Sequence, residues 1–335
     1  MRVLVTGGTS LLARRCAETL LARGDEVVLL QRHRSPLDTT QVLGDVRDAE
    51  VVARAATGCD AVIHAAAKVG VVGTFEEYRS INVDGTAHVV AAARRHDVGR
   101  IVHVSTPSVA HAGHSLVGVA AEPPVVGRKN AWYAESKAMA EQLVMAAVSD
   151  SLAVVAIRPH LVWGPGDTQL VGRIVQRARA GRLALIGGGA ALVDTTYIDN
   201  AASALVAALD AATPGASCVG RAYVVANGEP RPIRDLLLGI CRAAGVAVTP
   251  RRVPLRAALV AGSLVERAWP LRHGDDEPPL TRFLAEQLGT AHWFDPRPAR
   301  DDLAWAPTVS IDDGLQRLAD WYAAKSLGAR AATAA

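Results

Sequence analysis

Residues 2–13 read RVLVTGGTSLLA. RVLVT (2–6) has the aliphatic, β-branched character of a strand, two glycines follow at once, and 10–23 is patterned as a helix ending at Gly24. That order brings backbone N–H groups and a helix N-terminus onto a dinucleotide pyrophosphate. Gly7 and Gly8 suit the tight turn. Ser10 and Ala13 fall where the second and third small residues of a GxxGxxG loop belong, and Thr9, Leu11 and Leu12 complete the candidate cofactor contact. Ala13 still allows close helix–strand packing. Ser10 is the departure, and it works only if its φ is not strongly positive. An ordinary strand–helix turn is the bland alternative.

Outward from this loop, the first half of the chain keeps alternating. EVVLL (26–30), TQVLG (40–44), CDAVIHA (59–65), RIVHVS (100–105) and LAVVAIRP (152–159) read as strands. Helical patterns cover 48–56, 76–96 and 132–148. Apolar strands alternating with helices imply a parallel sheet covered on both faces, and right-handed crossovers make it a doubly wound, Rossmann-type α/β fold. Residues 1–160 are expected to form the dinucleotide-binding domain. Beyond Pro159 the pattern loosens: a helix at 168–180, short strands near 183–187 and 192–197, AYVVAN (222–227) and a helix at 232–244. Residues 161–328 are expected to be mainly a smaller, mixed substrate lobe, with some segments returning to the sheet, and 329–335 a frayed tail.

Half of the residues are hydrophobic and 21% are charged, the balance of a folded globular chain. A formal net charge of +3 without a basic stripe argues against nucleic acid. Cys16, Cys59, Cys218 and Cys241 lack CxxC spacing and read as buried thiols in a reducing, cytoplasmic setting. No metal motif is present. The first strand starts at Arg2, which leaves no room for a leader. VPLRAALVAGSLVERAW (253–269) carries Arg256, Glu266 and Arg267, so it is not a membrane span. It reads as a surface helix with one buried face, or as a helix lying on a membrane or a pathway partner.

Gln31 ends the second strand, where NAD-selective folds carry an acid for the ribose 2′-hydroxyl, and Arg32 and Arg34 follow. An uncharged residue beside arginines favours a 2′-phosphate, so NADP(H) is slightly preferred over NAD(H). Asp45 is placed to accept from the adenine amino group, with Val46 beside it; helix capping is its alternative. Tyr133 and Lys137 lie four apart on one helix face. Lysine occurs only at Lys68, Lys129, Lys137 and Lys325, every other basic chain being arginine or histidine. A compact ammonium beside a phenol stabilises the phenolate and lowers its pKa, which a planar, permanently charged guanidinium serves less well. Taken alone, YxxxK is as readily a pair of surface residues.

TGGTSLLA, GDVRD, VIHAAAKVG, INVDGT, VHVSTPSV, YAESK, RPHLVWGPGD and DTTYIDNAA occur in that order, followed by HWFDPRPARDDLAWAPTVSIDDGLQRLADWY. As a set they resemble the extended short-chain dehydrogenase/reductase superfamily over nearly the whole chain. AAAKVG, RPHLVWGPGD, RAYVVANGEP and EPPLTRFLAEQLGTAHWFD look most like its 3β-hydroxysteroid dehydrogenase/isomerase branch, nearest to the OleD-type 2-alkyl-3-oxoalkanoate reductases of bacterial olefin biosynthesis. The resemblance implies that Tyr133 is the general acid, Lys137 holds the nicotinamide ribose, and Thr106 bonds the substrate carbonyl, with Ser105 and Ser108 as alternatives. It implies that Ala65, Ala66, Ala67 and Lys68 line the cofactor, that Asn82 sits behind the site, and that Pro159 and His160 flank the nicotinamide; His160 also reads as a structural histidine. It further implies reduction of a long-chain 2-alkyl-3-oxoalkanoate and a homodimer built on helices 76–96 and 132–148; a long apolar substrate needs an apolar cleft, and LVAGSLVERAW and PPLTRFLAEQL are Leu/Val-rich enough to form one. Ala138, Met139, Leu143 and Val144 give the second of those helices apolar surface, for a partner or for the core. Arg158, Arg173 and Arg282 are candidates for a substrate carboxylate. The alternatives are a 3β-hydroxysteroid or sterol-4α-carboxylate 3-dehydrogenase, a nucleotide-sugar epimerase, and a cofactor sensor without turnover.

Overall fold

A computed structural model describes residues 1–70, 72–110, 115–127, 131–269 and 280–334, with side chains through residue 327. The first half is β1 (Arg2–Thr6), α1 (Leu11–Ala22), β2 (Glu26–Gln31), β3 (Thr40–Leu43), α2 (Ala49–Ala56) and β4 (Ala61–His64). It continues through α3 (Phe75–Tyr78), a π-helical turn (Arg79–Asp84), α4 (Gly85–Arg95), β5 (Arg100–Val104), β6 (Leu116–Val119), α5 (Trp132–Met145) and β7 (Ala153–Pro159). The second half carries β8 (Val162–Trp163), α6 (Val171–Arg179), β9 (Ala184–Ile186), β10 (Leu192–Val193), β11 (Thr196–Tyr197) and α7 (Ile198–Ala211). It ends with β12 (Ala222–Val225), β13 (Arg231–Pro232), α8 (Ile233–Ala243), β14 (Arg251–Val253), α9 (Leu255–Ala268), β15 (His292–Phe294) and helices at Arg282–Gly289, Arg297–Leu303 and Ile311–Ala334.

The seven-stranded sheet runs β12-β7-β5-β4-β1-β2-β3, with every pairing parallel. Alternate residues of each strand face opposite helical layers. Val3, Val5, Ile63, Val155 and Ile157 pack against α1 and α7, while Leu4, Val62, Ile101 and Val154 pack on the side of α2, α4 and α5. The doubly wound fold expected from the alternation is the fold found. Its last strand, β12, returns from the second half of the chain.

The expected single helix at 76–96 is broken by the π turn, which presents Asn82 to the loop after β4. Gly85 follows, where a Cβ would stand 2.9 Å from Val46, so the helix can approach the loop after β3 only without a side chain. β6 and β15 had no sequence signal. β6 is four residues long and contains Gly118 at φ +63°, against the Trp293 ring. Its partners in the second, four-stranded sheet are supplied by tertiary contact, in the order β13-β10-β15-β6. The final helix is helical through Ala334, over most of the stretch expected to fray. α9 buries Ala258 and Gly262, with Gly262 tight against the Thr281 backbone, and leaves Val260 and Leu264 exposed. The PP of the expected cleft segment lies outside the described residues. No described helix is long and apolar enough to cross a membrane. The four cysteines are buried thiols, and burial pushes Cys16 up to about 12 and Cys59 up to about 11.

Candidate active site

The sheet order reverses between β1 and β4, and ligands of such folds enter at the C-terminal ends of strands at that point. Here the loop after β1 meets the loop after β4 backbone to backbone. Gly7 has φ +76°, and a Cβ on it would stand 2.9 Å from the backbone of Ala66. Neighbouring Gly8 lies under Gln31, whose Oε1 would be 2.5 Å from a Cβ there. Ser10 has φ −71°, so the condition on a serine is met. Its hydroxyl caps α1 by accepting from Ala13 N at 3.3 Å. Thr9 and Ser10 are exposed, and Leu11 and Leu12 are half-buried at the helix start, where first-turn N–H groups lack helical partners. This cradle fits a dinucleotide pyrophosphate.

At the end of β2, Gln31 is buried and Arg32 and Arg34 are exposed. The Gln31 amide is held by Gln41: Gln31 Nε2 donates to Gln41 Oε1 at 2.7 Å, which also accepts from Ser35 N at 2.9 Å. Asp45 is bound in both oxygens by Arg47, at 2.9 Å and 3.0 Å, and this pairing holds its carboxyl below the usual range. Capping of α2, the alternative role for Asp45, belongs instead to Asp48, which accepts from Glu50 N and Val51 N. Val46 is buried, and its carbonyl bonds His88.

Asn82 ties the loop after β4 to α5. Its Oδ1 accepts from Lys68 N at 2.7 Å, and its Nδ2 donates to Lys68 O at 3.1 Å and to Ser136 Oγ at 2.9 Å. Ala65, Ala66 and Ala67 are half-buried along that loop. The Lys68 ammonium lies 3.6 Å from Glu77 and over the Tyr78 ring. Beneath, Thr6 Oγ1, the His64 ring and Thr86 Oγ1 form a buried chain, at 2.8 Å and 2.9 Å. Burial holds His64 down to about 3.

At the end of β5 the three expected reactive groups converge. Thr106 lies beside the Tyr133 phenol, where it favours the phenolate, and its hydroxyl shares a hydrogen bond with Ser108 Oγ at 3.0 Å. Ser105 is buried, and its hydroxyl has no partner among the described residues. Lys137 is buried on α5 and donates to Val104 O at 2.6 Å, with His103 Nε2 at 3.3 Å. Burial lowers Lys137 to about 8, with Glu141 pulling upward. Tyr133 corrects an expectation: the phenol is pushed up to about 12, not down. Loss of water around the half-buried phenol is the largest influence, while neighbouring Thr106 pulls downward and the Lys137 ammonium is held by the β5 end.

Several candidates prove committed elsewhere. Arg158 is fully buried against Glu141, with Nε to Oε2 at 2.9 Å, a second contact from Nη2, and Nη1 to Glu122 O at 2.7 Å. It is not open to a substrate carboxylate. Arg173 and Arg282 pair with Gln169 and Glu286 on the surface. Pro159 and His160 are buried where β7 ends. His160 Nδ1 faces Asp194 O, and the ring packs edge-on against Phe294, the environment of its structural reading. Ala138 and Val144 are core residues; Met139 and Leu143 are half-buried. A cavity of about 500 Å³ lies apart from the crevice, bordered by α5, β12 and Glu122. Sequence reasoning passed over Ser136, His103 and Gln41; only Ser136 carried a signal, as the residue before the lysine.

Comparison with known proteins agrees with this geometry. The model of the 3-beta hydroxysteroid dehydrogenase/isomerase family matches residues 4–255. A 2-alkyl-3-oxoalkanoate reductase of Stenotrophomonas maltophilia (strain K279a) is 47% identical over 324 residues, covering 95% of this chain and 98% of that protein. A 3-beta-hydroxysteroid dehydrogenase of Mycolicibacterium neoaurum is 31% identical, over 96% and 91% of the two chains. Among solved structures, Pal from Bacillus thuringiensis superposes with a TM-score of 0.75 at 22% identity, covering 98% of this chain and all of that one, which speaks to the fold. The sheet, the glycine cradle and the tyrosine–lysine helix thus stand in a chain that belongs to the 3-beta hydroxysteroid dehydrogenase/isomerase family.

Proposed function

We propose that the protein interconverts a long-chain 2-alkyl-3-oxoalkanoate and the corresponding 2-alkyl-3-hydroxyalkanoate, using a nicotinamide dinucleotide. The observation that carries this reading is the meeting of Thr106, Tyr133 and Lys137 at the end of β5, in a chain whose near-full-length relative is named for that reaction. When bound, the reduced dinucleotide supplies the hydride to C3 of the keto acid. Gly7, Gly8, Ser10 and the start of α1 would cradle its pyrophosphate, and the 65–68 loop, fixed by Asn82, would line the same crevice. Thr106 and Tyr133 point hydrogen bonds at the ketone oxygen. A phenol pushed up to about 12 stays protonated at neutral pH, which suits a group that must deliver a proton as the alkoxide forms. Lys137, still charged below about 8, then steadies the phenolate.

The exposed Arg32 and Arg34 beside the uncharged Gln31 favour NADP(H) over NAD(H). Residues 1–160 serve mainly the dinucleotide and 161–328 mainly the substrate. The working unit is a homodimer joined through α4 and α5 in a cytoplasmic setting. Light scattering on purified protein checks the dimer.

The test follows nicotinamide absorbance with a long-chain 2-alkyl-3-hydroxy acid and NADP⁺ or NAD⁺, on the wild type and Tyr133→Phe. Turnover that the variant loses while retaining cofactor binding supports the reading. Intact cofactor binding without turnover sinks it and moves the assignment to a sterol substrate, the activity class named for the Mycolicibacterium relative.

A further inference from the structure

Lys137 has three N–H donors. One goes to Val104 O at 2.6 Å, and a second points to His103 Nε2 at 3.3 Å, which leaves one for the crevice. An ammonium gains from His103 only if Nε2 is bare, so the ring proton must sit on Nδ1. Nδ1 is buried and has no hydrogen-bond partner among the described residues. Burying an unpaired N–H costs the group its hydration with nothing in return, and a leucine or phenylalanine on β5 would avoid that cost. A native structure that keeps such a group calls for a reason.

We infer that His103 is a positioning residue for the hydride-transfer site: as a neutral acceptor it holds the Lys137 ammonium in its charged form and aims its remaining donor at the crevice. This rests on the catalytic reading of Lys137 given above. Burial and the neighbouring Lys137 keep His103 neutral, well below the usual histidine range, so it accepts throughout the working pH range. The other groups around Lys137 are accounted for. Tyr133 and Glu141 share its helix, Glu141 is occupied by Arg158 of β7, and His64 of β4 packs at a tilt against His103 with ring centroids 5.4 Å apart. Among the described residues His103 is therefore the one uncharged side-chain acceptor that meets the ammonium.

Two measurements test this. With only four lysines in the chain, ¹⁵N-lysine labelling lets the Lys137 ammonium be titrated by NMR in the protein without cofactor. The expected result is a pKa about one unit lower in His103→Leu, the size of one charge-assisted hydrogen bond, and near wild type in His103→Gln, which restores an acceptor. The alkaline limb of kcat for ketone reduction should move down in pH with it, while KM for the keto acid holds. An unchanged Lys137 titration in folded His103→Leu overturns the inference, as does a His103→Gln that behaves like His103→Leu. Lys137→Ala separates the premise: full activity in that variant refutes the catalytic role of Lys137 itself, whatever His103 does.

Discussion

Ser10 stands at φ −71° where the loop pattern has a glycine, and its hydroxyl caps α1. Losing a helix N-cap costs ~1 kcal/mol, whereas glycine at that position costs only a few tenths. Ser10→Ala should therefore lower the unfolding free energy by ~1 kcal/mol in urea, and Ser10→Gly should leave both stability and dinucleotide affinity near wild type. Gly7 is the opposite case. Its φ of +76° and its contact with the Ala66 backbone leave no room for a methyl group. Gly7→Ala should weaken cofactor binding, measured by nicotinamide fluorescence, more than any change at Ser10. At Tyr133, removing the phenolic hydroxyl should reduce kcat by ~10²–10⁴-fold, the worth of a positioned proton donor, with the thermal transition little changed.

At the scale of an element, α5 does two jobs through opposite ends of one turn. Lys137 reaches the β5 end, and one turn later Glu141 locks Arg158 of β7 in a bidentate, fully buried pair. Taking one partner from a buried ion pair costs ~3–5 kcal/mol, because the other is left charged without water. Glu141→Leu should be destabilised by that amount in denaturant melts, and Arg158→Met/Glu141→Leu should recover most of it. If the double variant is as unstable as the sum of the two single ones, the pair is not coupled as drawn. The π turn is the second such element. Asn82 joins Lys68 and Ser136, so Asn82→Ala should loosen the 65–68 loop and weaken dinucleotide affinity while sparing the sheet.

For the whole molecule, the buried histidines govern acid stability. His64 is held down to about 3 and His103 well below its usual value, both chiefly by burial. Unfolding exposes them to water, where they bind protons from about pH 6.5 downward. Between that value and their folded pKa values the unfolded chain carries more protons, so stability falls as pH falls, by ~1.4 kcal/mol per pH unit for each histidine. Asp194, whose carboxyl burial raises to about 6, opposes this between pH 7 and pH 5, so the test is a difference: in urea titrations over that range His103→Leu should lose one histidine's share of the slope. A slope unaltered by the substitution would rule out a neutral His103 in the fold.

What the sequence determined by itself is what short stretches encode. The sheet strands are apolar runs of four to seven residues. The cradle is a glycine turn between strand and helix, and Tyr133 and Lys137 share a face because they are one helical turn apart. Those signals, with the ordered motifs, were enough for the fold and the family, and they named the three side chains on which the proposed chemistry rests. The tertiary structure alone decided the rest, since it depends on chain segments distant in sequence. His103 meets Lys137 across 34 residues, and Arg158 is claimed by Glu141 rather than left for substrate. β6 becomes a strand only because β15 arrives beside it. The phenol rises because its surroundings strip away part of its water, an effect of tertiary packing that a four-residue spacing does not contain.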